Sequence, residues 1–113
     1  MMNNLITWND FEKIQIITGT IVKAEEFLKA RNLSFNLTID FGKSGIKQSS
    51  AQITHHYTTN ELVGKQIIAV VNFPPKQIAD FISECLVLGV YDENNQVILL
   101  TTDKPTKNGE KIG

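Results

Sequence analysis

The only two histidines of the chain, His55 and His56, are adjacent, an arrangement that raises the question of a metal site. Neighbouring side chains point to opposite sides of a strand and lie about 100° apart on a helix, so they rarely reach one metal ion. A zinc site would need further ligands, and no cysteine or acidic cluster has suitable spacing. We therefore predict no metal site, and we expect surface or partner-contact histidines.

Two other pairs could suggest catalysis, the carboxylates Glu25 and Glu26 and the hydroxyls Ser49 and Ser50. Acid–base chemistry needs two carboxylates in different environments across a substrate, which adjacent side chains do not provide. The serines show no evident partnership with histidine and aspartate. The glycines form neither a phosphate-binding loop nor a dinucleotide fingerprint. We therefore predict a protein that is not an enzyme, with no catalytic residue and no cofactor.

Two polar segments remain as candidate binding sites. Lys47, Gln48, Ser49 and Ser50 offer a cation, an amide and two hydroxyls, groups that suit phosphate, ribose or backbone contacts. The segment 72–76 has the sequence Asn-Phe-Pro-Pro-Lys, and its aromatic and cationic groups could bind a single-stranded base or an extended apolar peptide. Alternatively, its phenylalanine packs inward and its prolines only end a strand. Both interpretations stay open.

Composition restricts the kind of protein. With 113 residues, 42% of them apolar, the chain fits one domain, residues 1–113, whose core begins at about residue 11. Eleven basic against twelve acidic residues argue against binding nucleic acid by bulk charge, so any RNA contact needs a local patch. Cys85, the only cysteine, is expected to be a buried apolar residue. The sequence shows no signal peptide and no membrane-spanning stretch, so we expect a cytoplasmic location and no membrane insertion.

The order of the predicted elements indicates a small β barrel. Period-two alternation is clearest at Leu33, Phe35, Leu37, Ile39 and Phe41. The predicted strands are residues 14–23, 33–41, 46–53, 66–73 (buried on both faces and ended by two prolines) and 86–91, with a further strand 97–101 across a hairpin turn. A short helical connection is expected between strands three and four. This order matches the all-β OB-fold, a five-stranded Greek-key barrel, although a small sandwich or another small barrel fits nearly as well.

Two local features refine that prediction. Gly19, inside the first strand, suggests a bulge or sharp bend that would let the sheet curl. A short N-terminal helix is predicted after Thr7, with Trp8 and Phe11 on one face. A helix this short cannot bury two aromatic rings by itself, so they must pack on the domain or on a second copy of the chain.

Long ordered segments resemble the CsaA branch of the tRNA-binding-domain family. They are residues 16–27, 30–31, 39–42, 45–54, 72–79 (Asn-Phe-Pro-Pro-Lys-Gln-Ile-Ala), 81, 83–84 and 86–89. The resemblance implies an OB barrel with short terminal extensions that forms homodimers, which would give Trp8 and Phe11 a place to bury their rings. It also implies low-specificity tRNA binding, as in related domains of methionyl-tRNA synthetases, and an export-related chaperone role with unfolded preproteins and SecA as partners.

The resemblance and the polar segments together select candidate residues. For RNA they are Lys47, Gln48, Ser49, Ser50, Asn72, Lys76, Phe81 and Ser83, with the lysines on phosphates and Ser83 supporting the loop. For the alternative, an unfolded polypeptide, they are Phe73, Pro74, Pro75 and Phe81. We expect the two segments to lie side by side on one surface.

Some positions depart from the family. Its members usually carry arginine where Ile17 stands, proline at Leu28, basic residues at or near His55 and His56, and lysine at Ile82. We expect the charged positions to face the ligand. Their loss predicts weaker RNA affinity here than in basic relatives, because phosphate contacts supply most of that affinity.

Overall fold

The computed structural model describes residues 4–113, which form nine strands and two short helices. In chain order the elements are α1 (Trp8–Glu12), β1 (Ile16–Glu26), β2 (Phe35–Asp40), β3 (Ile46–Ala51), α2 (Thr59–Leu62), β4 (Gln66–Val70), β5 (Lys76–Ile78), β6 (Phe81–Ser83), β7 (Leu86–Val87), β8 (Gly89–Tyr91) and β9 (Val97–Leu99), with a 3-10 turn at Gly42–Ser44. No helix in this part of the chain is long and apolar enough to span a membrane.

Five strands form one antiparallel sheet in the order β3-β2-β1-β4-β7. Its two edges meet where the Ser49 hydroxyl donates a hydrogen bond to the carbonyl of Cys85, just before β7, at 2.8 Å. The sheet is therefore curled into a nearly closed barrel, with α2 between β3 and β4. This arrangement confirms the predicted all-β, OB-like five-stranded barrel and the position of its internal helix.

The core follows the alternation predicted for β2. Four of the five alternating residues are buried: Phe35, Leu37, Ile39 and Phe41. Leu33, expected with them, is instead 83% exposed. It precedes the strand, in a turn where the Phe27 N–H donates to the Ser34 carbonyl at 3.1 Å, so the period-two pattern does not apply to it.

The bulge of β1 does not lie at Gly19. The register shifts between Ile21 and Lys23, where Val22 is the additional residue, so the predicted position of the bulge is wrong. Gly19 is required for a different reason. A Cβ atom there would lie 2.6 Å from the ring of Phe41, which fills the space above the glycine.

The later strands are shorter than predicted. β4 ends at Val70, before the prolines, and the pairing with β1 extends only one residue further, where the Val71 N–H donates to the Gln15 carbonyl at 2.9 Å. The predicted strand 86–91 is divided at Leu88 into β7 and β8, since the chain changes there from β4 to β9 as its partner. The hairpin between β5 and β6 was not predicted, because two strands of three residues carry no readable alternation.

The N-terminal helix has the predicted cap. The Thr7 hydroxyl accepts a hydrogen bond from the Asp10 N–H, and the Asp10 carboxylate accepts one from the Thr7 N–H, both at 3.0 Å. Trp8 and Phe11 contact each other, with ring centroids 5.5 Å apart, but Trp8 remains 69% exposed. The indole is therefore not buried by the domain.

Candidate functional site

The two polar segments singled out from the sequence are neighbours through the hairpin β5–β6. The backbone N–H of Ser50 in β3 donates to the Ser83 hydroxyl of β6 at 3.1 Å. Ser83 is in turn the register partner of Lys76 at the start of β5. The structure therefore brings Lys76, Ser83 and Ser50 together in one place.

A second set of contacts fastens the same hairpin to β3. Gln48 donates its backbone N–H to the Glu84 carboxylate at 2.9 Å, and its carbonyl accepts the Glu84 N–H at 2.8 Å. The Gln48 side-chain amide lies 3.4 Å from the Ile82 carbonyl. Three of the four residues in the first polar segment thus lie beside β6 or the residues that follow it.

Neighbouring residues of β3 face opposite ways, which divides the candidates. Gln48 pairs with Thr38 and Ser50 pairs with Asn36, so these side chains form a polar outer face on β2 and β3. Lys47 lies on the other side of the strand, is half-buried, and is near enough to Cys85 to oppose part of the rise in the pKa of that thiol.

Ser49 does not reach this face. Its side chain is 1% exposed, and its hydroxyl donates to the Cys85 carbonyl. It pairs with Leu37 of the core, so its polar group serves barrel closure. The expectation that Ser49 contacts a ligand fails for this reason, and the residue is left out of the site.

Asn72 is also committed to the fold. Its amide oxygen accepts the Gln15 N–H at 2.9 Å, and its nitrogen donates to the Lys13 carbonyl at 2.7 Å, which fixes the segment leading into β1. Phe73 is 54% exposed, so it does not pack into the core as one interpretation held. Pro74 and Pro75 are exposed beside it.

The loop between β1 and β2, residues 27–34, contacts the tip of the hairpin. Phe27 and Phe81 have ring centroids 5.4 Å apart, and the Lys29 ammonium lies 2.6 Å from the Asp80 carboxylate. This exposed hydrogen bond raises the pKa of Lys29 and lowers the pKa of Asp80. The sequence did not single out Lys29 or Asp80, because 51 residues separate them.

The electrostatics of the surface are modest. Within residues 4–113, Arg31, Lys47 and Lys76 are cations without an ion-pair partner within 4.0 Å. Lys29 is paired with Asp80, and Lys23 with Glu25 at 3.6 Å. A few unpaired cations around a polar, partly aromatic face can contact phosphates at a small number of points.

The positions that depart from the family lie in different environments. Ile17 is buried in the core, so the expectation that it faces a ligand is wrong. Leu28 and Ile82 are 85% and 40% exposed, in the loop 27–34 and in the hairpin.

The two histidines lie elsewhere. His56 lies 2.7 Å from Asp92, away from the hairpin, and His55 lines a separate groove. Among the described residues no group of three His, Cys, Asp or Glu could hold a metal ion.

Comparisons with solved structures identify close relatives of the whole chain. A CsaA chaperone of Bacillus anthracis is 49% identical with a TM-score of 0.91, and the match covers 96% of this chain and 99% of that one. A CsaA chaperone protein of Picrophilus torridus is 52% identical with a TM-score of 0.90, covering 96% of this chain and 100% of that one.

Sequence relatives include much longer proteins. A methionine–tRNA ligase of Methanocaldococcus jannaschii is 35% identical over 101 residues, which are 89% of this chain and 15% of the ligase. The chain therefore spans about 15% of the length of such relatives, a part of the ligase and not the whole. The family model described as "Putative tRNA binding domain" matches residues 16–111. The chain belongs to this tRNA-binding-domain family, in a form closely similar to CsaA chaperones.

Proposed function

We propose that this chain is a non-enzymatic tRNA-binding protein that recognises RNA by shape and backbone with low sequence specificity. The proposed surface, called the hairpin face below, consists of the outer side of β3, the hairpin β5–β6 and the loop 27–34. The hydrogen bond between Ser50 and Ser83 carries the proposal, because it joins the two polar segments into one surface. OB-folds use the strand β2–β3 face and these two flanking loops to bind oligonucleotides.

Each side chain of the hairpin face has a role that its environment supports. Lys76, exposed and without an ion pair in the described residues, contacts a phosphate. Lys47 lies on the opposite side of β3 from Gln48 and Ser50, but β3 is the edge strand of the sheet, so its half-buried side chain reaches a second phosphate past that edge. Gln48 and Ser50, on the polar outer face, contact ribose hydroxyls or base edges. Phe81, packed on Phe27, offers a ring for a base to stack on. Ser83 holds β3 and the hairpin in place.

The small number of cations predicts weak, salt-sensitive binding. The segment from Lys43 to Ile82 contains the lysines 43, 47, 65 and 76 against Glu61 and Asp80, a surplus of two. Each phosphate contact changes the slope of log affinity against log salt by about one unit. A slope near two is therefore expected from Lys47 and Lys76.

The test replaces both lysines. Lys47→Ala with Lys76→Ala should weaken tRNA binding in a low-salt gel-shift assay and reduce the salt slope by about two units. The matched control is Lys104→Ala with Lys107→Ala, which removes the same charge from the exposed C-terminal segment. If the control weakens binding equally, only net charge matters, and the hairpin face is not the site.

A homodimer is part of the same proposal. Trp8 and Ile6, each 69% exposed, line one shallow apolar surface with Phe11, which one copy of the chain leaves in water. Contact between two such surfaces would bury the Trp8 and Phe11 rings. Sedimentation velocity should show a dimer that Trp8→Glu converts to a monomer. A wild-type monomer at about 100 μM would contradict it.

A second function is supported by exposed apolar side chains next to the hairpin. Phe73, Ile82 and Leu28 are 54%, 40% and 85% exposed. They support binding of unfolded polypeptides, with preproteins for export and the SecA pathway as the physiological setting. Suppression of client aggregation should then persist in about 0.5 M salt, which screens phosphate contacts but not apolar ones. Loss of protection in salt would count against this function.

A further inference from the structure

The barrel has an open seam. Its edges meet at Ser49 and Cys85 but separate further along the chain, and a groove of about 870 Å³ lies between them. Residues 50–55 form one wall, residues 86–89 and Tyr91 form the other, and Leu33 lies at its rim. This groove is distinct from the hairpin β5–β6, none of whose residues line it.

One wall is a strand edge whose backbone groups point into the seam. Leu88 donates its N–H to the Ile68 carbonyl at 2.8 Å, and its carbonyl accepts the Leu100 N–H at 3.1 Å. Bonded and non-bonded positions alternate along antiparallel pairs. Val87 and Gly89, on either side of Leu88, therefore turn their N–H and C=O groups away from β4 and β9, and so does Tyr91, two residues after Gly89.

The opposite wall does not use that edge. Within residues 4–113, no backbone hydrogen bond joins the segment 52–55 to β7 or β8, and no ladder pairs β3 with β7. A strand edge in this condition is a template on which another extended chain can form hydrogen bonds.

The charge of the groove selects the kind of ligand. None of its lining residues among those described is Asp, Glu, Lys or Arg, so apart from the imidazole of His55 the lining offers a phosphate backbone only neutral side chains. Leu33 and Tyr91 are 83% and 71% exposed, and Leu86 is 48% exposed. An uncharged lining with apolar side chains and an unused backbone edge complements an extended, uncharged polypeptide.

We infer that the seam binds such a polypeptide as an added strand along the edge from Val87 to Tyr91. This inference rests on the proposed polypeptide binding and gives it a location apart from the hairpin β5–β6, although Leu33 of the loop 27–34 and Ser50 of β3 border both the seam and the hairpin face. Hydrogen bonds to the backbone would supply affinity without a sequence requirement, while Leu33 and Tyr91 would cover alternate side chains of the bound segment.

The test uses a fluorescein-labelled peptide of about ten serine, threonine and valine residues, long enough to cover the edge. Anisotropy should show binding, and amide hydrogen exchange should show protection of Gly89 and Tyr91. The same peptide, N-methylated at alternate backbone nitrogens, keeps its side chains but loses donors, so it should bind at least about tenfold more weakly. Equal binding of the two peptides would overturn the inference.

Substitutions provide the second arm. Leu33→Asp with Tyr91→Asp should weaken the peptide at least about tenfold. The control, Ile14→Asp with Val63→Asp, changes residues that are 45% and 50% exposed and lie outside both the lining and the edge strand, so it should change the affinity less than about twofold. If the Leu33 and Tyr91 variant keeps peptide affinity, the seam is not the site. If peptide binding is lost while an unfolded client is still protected, chaperone activity stands and uses another surface, which overturns the inference about location.

Discussion

The hydroxyl of Ser83 accepts the backbone N–H of Ser50 at 3.1 Å, which joins the hairpin β5–β6 to the edge strand β3. Ser83→Ala removes this acceptor and leaves a partly buried N–H unpaired, so the free energy of unfolding should fall by about 1 kcal/mol. Ser83→Thr keeps a hydroxyl and should lose less. Urea denaturation measures both, and equal stability of Ser83→Ala and the wild type would contradict the role given to the bond.

The attachment of the hairpin β5–β6 to β3 should also affect the affinity for tRNA. Because Ser83 does not itself contact the ligand and Lys76 keeps its charge in Ser83→Ala, this variant should weaken tRNA binding with little change in the salt slope. Lys76→Ala should reduce that slope by about one unit. Gel-shift titrations at several salt concentrations separate the two effects. A reduced slope in Ser83→Ala would indicate that phosphate contacts depend on the hairpin position.

Gly19 and Phe41 form a close contact of the barrel that the sequence left unexplained. A Cβ at Gly19 would lie 2.6 Å from the Phe41 ring and 2.8 Å from Ile39. Gly19→Ala should therefore destabilise the fold by about 1–3 kcal/mol through overpacking. Adding Phe41→Leu should recover part of the Gly19→Ala penalty in a double-mutant cycle, because it removes the obstructing ring. Simple additivity of the two substitutions would show that the strain lies elsewhere.

The sequence predicted what depends on local pattern. The alternation of β2 identified four core residues, and the cap of α1 followed from Thr7 and Asp10. The hairpin β5–β6 was not predicted, because two strands of three residues are too short to show an alternation of apolar and polar residues. The residues that contact this hairpin come from distant parts of the chain: Lys29 contacts Asp80, and Gln48 contacts Ile82.

The candidate site shows the same limit. The sequence presents four consecutive polar residues from Lys47 as one recognition segment, but the barrel turns Gln48 and Ser50 outward and Ser49 inward. Successive side chains of a strand point to opposite faces, so four consecutive residues cannot all face a ligand. Only the pairing of Ser49 with Leu37 determines which members face the core. The same holds for Ile17, whose burial depends on its pairing with Ala69 of β4.

The turn after β8 should make stability sensitive to acid. Hydrogen bonds from the backbone N–H of Gln96, with the contact to His56 and the N–H of Asn94, hold the pKa of the Asp92 carboxyl below its ordinary value of 3.8. The stabilisation is complete above that value and is lost as pH falls through the lower folded-state pKa. Asp92→Asn should therefore flatten the urea midpoint between about pH 5 and pH 2. An unchanged acid slope would contradict this account.

Cys85 predicts the opposite behaviour in alkali. Burial raises the pKa of its thiol from 9.0 to about 11, against a partly opposing hydrogen bond with Ser49. Above pH 9 the unfolded chain loses the thiol proton while the folded chain keeps it. The free energy of unfolding should therefore fall as pH rises from 9 to about 11. Lysines and tyrosines also begin to titrate in this range, so the informative quantity is the difference between the wild type and Cys85→Ala. The variant should be less stable overall but should lose less stability across this interval, as measured by urea denaturation. Parallel curves would show that the folded thiol ionises as readily as the unfolded one, and that the closure at Ser49 and Cys85 admits water.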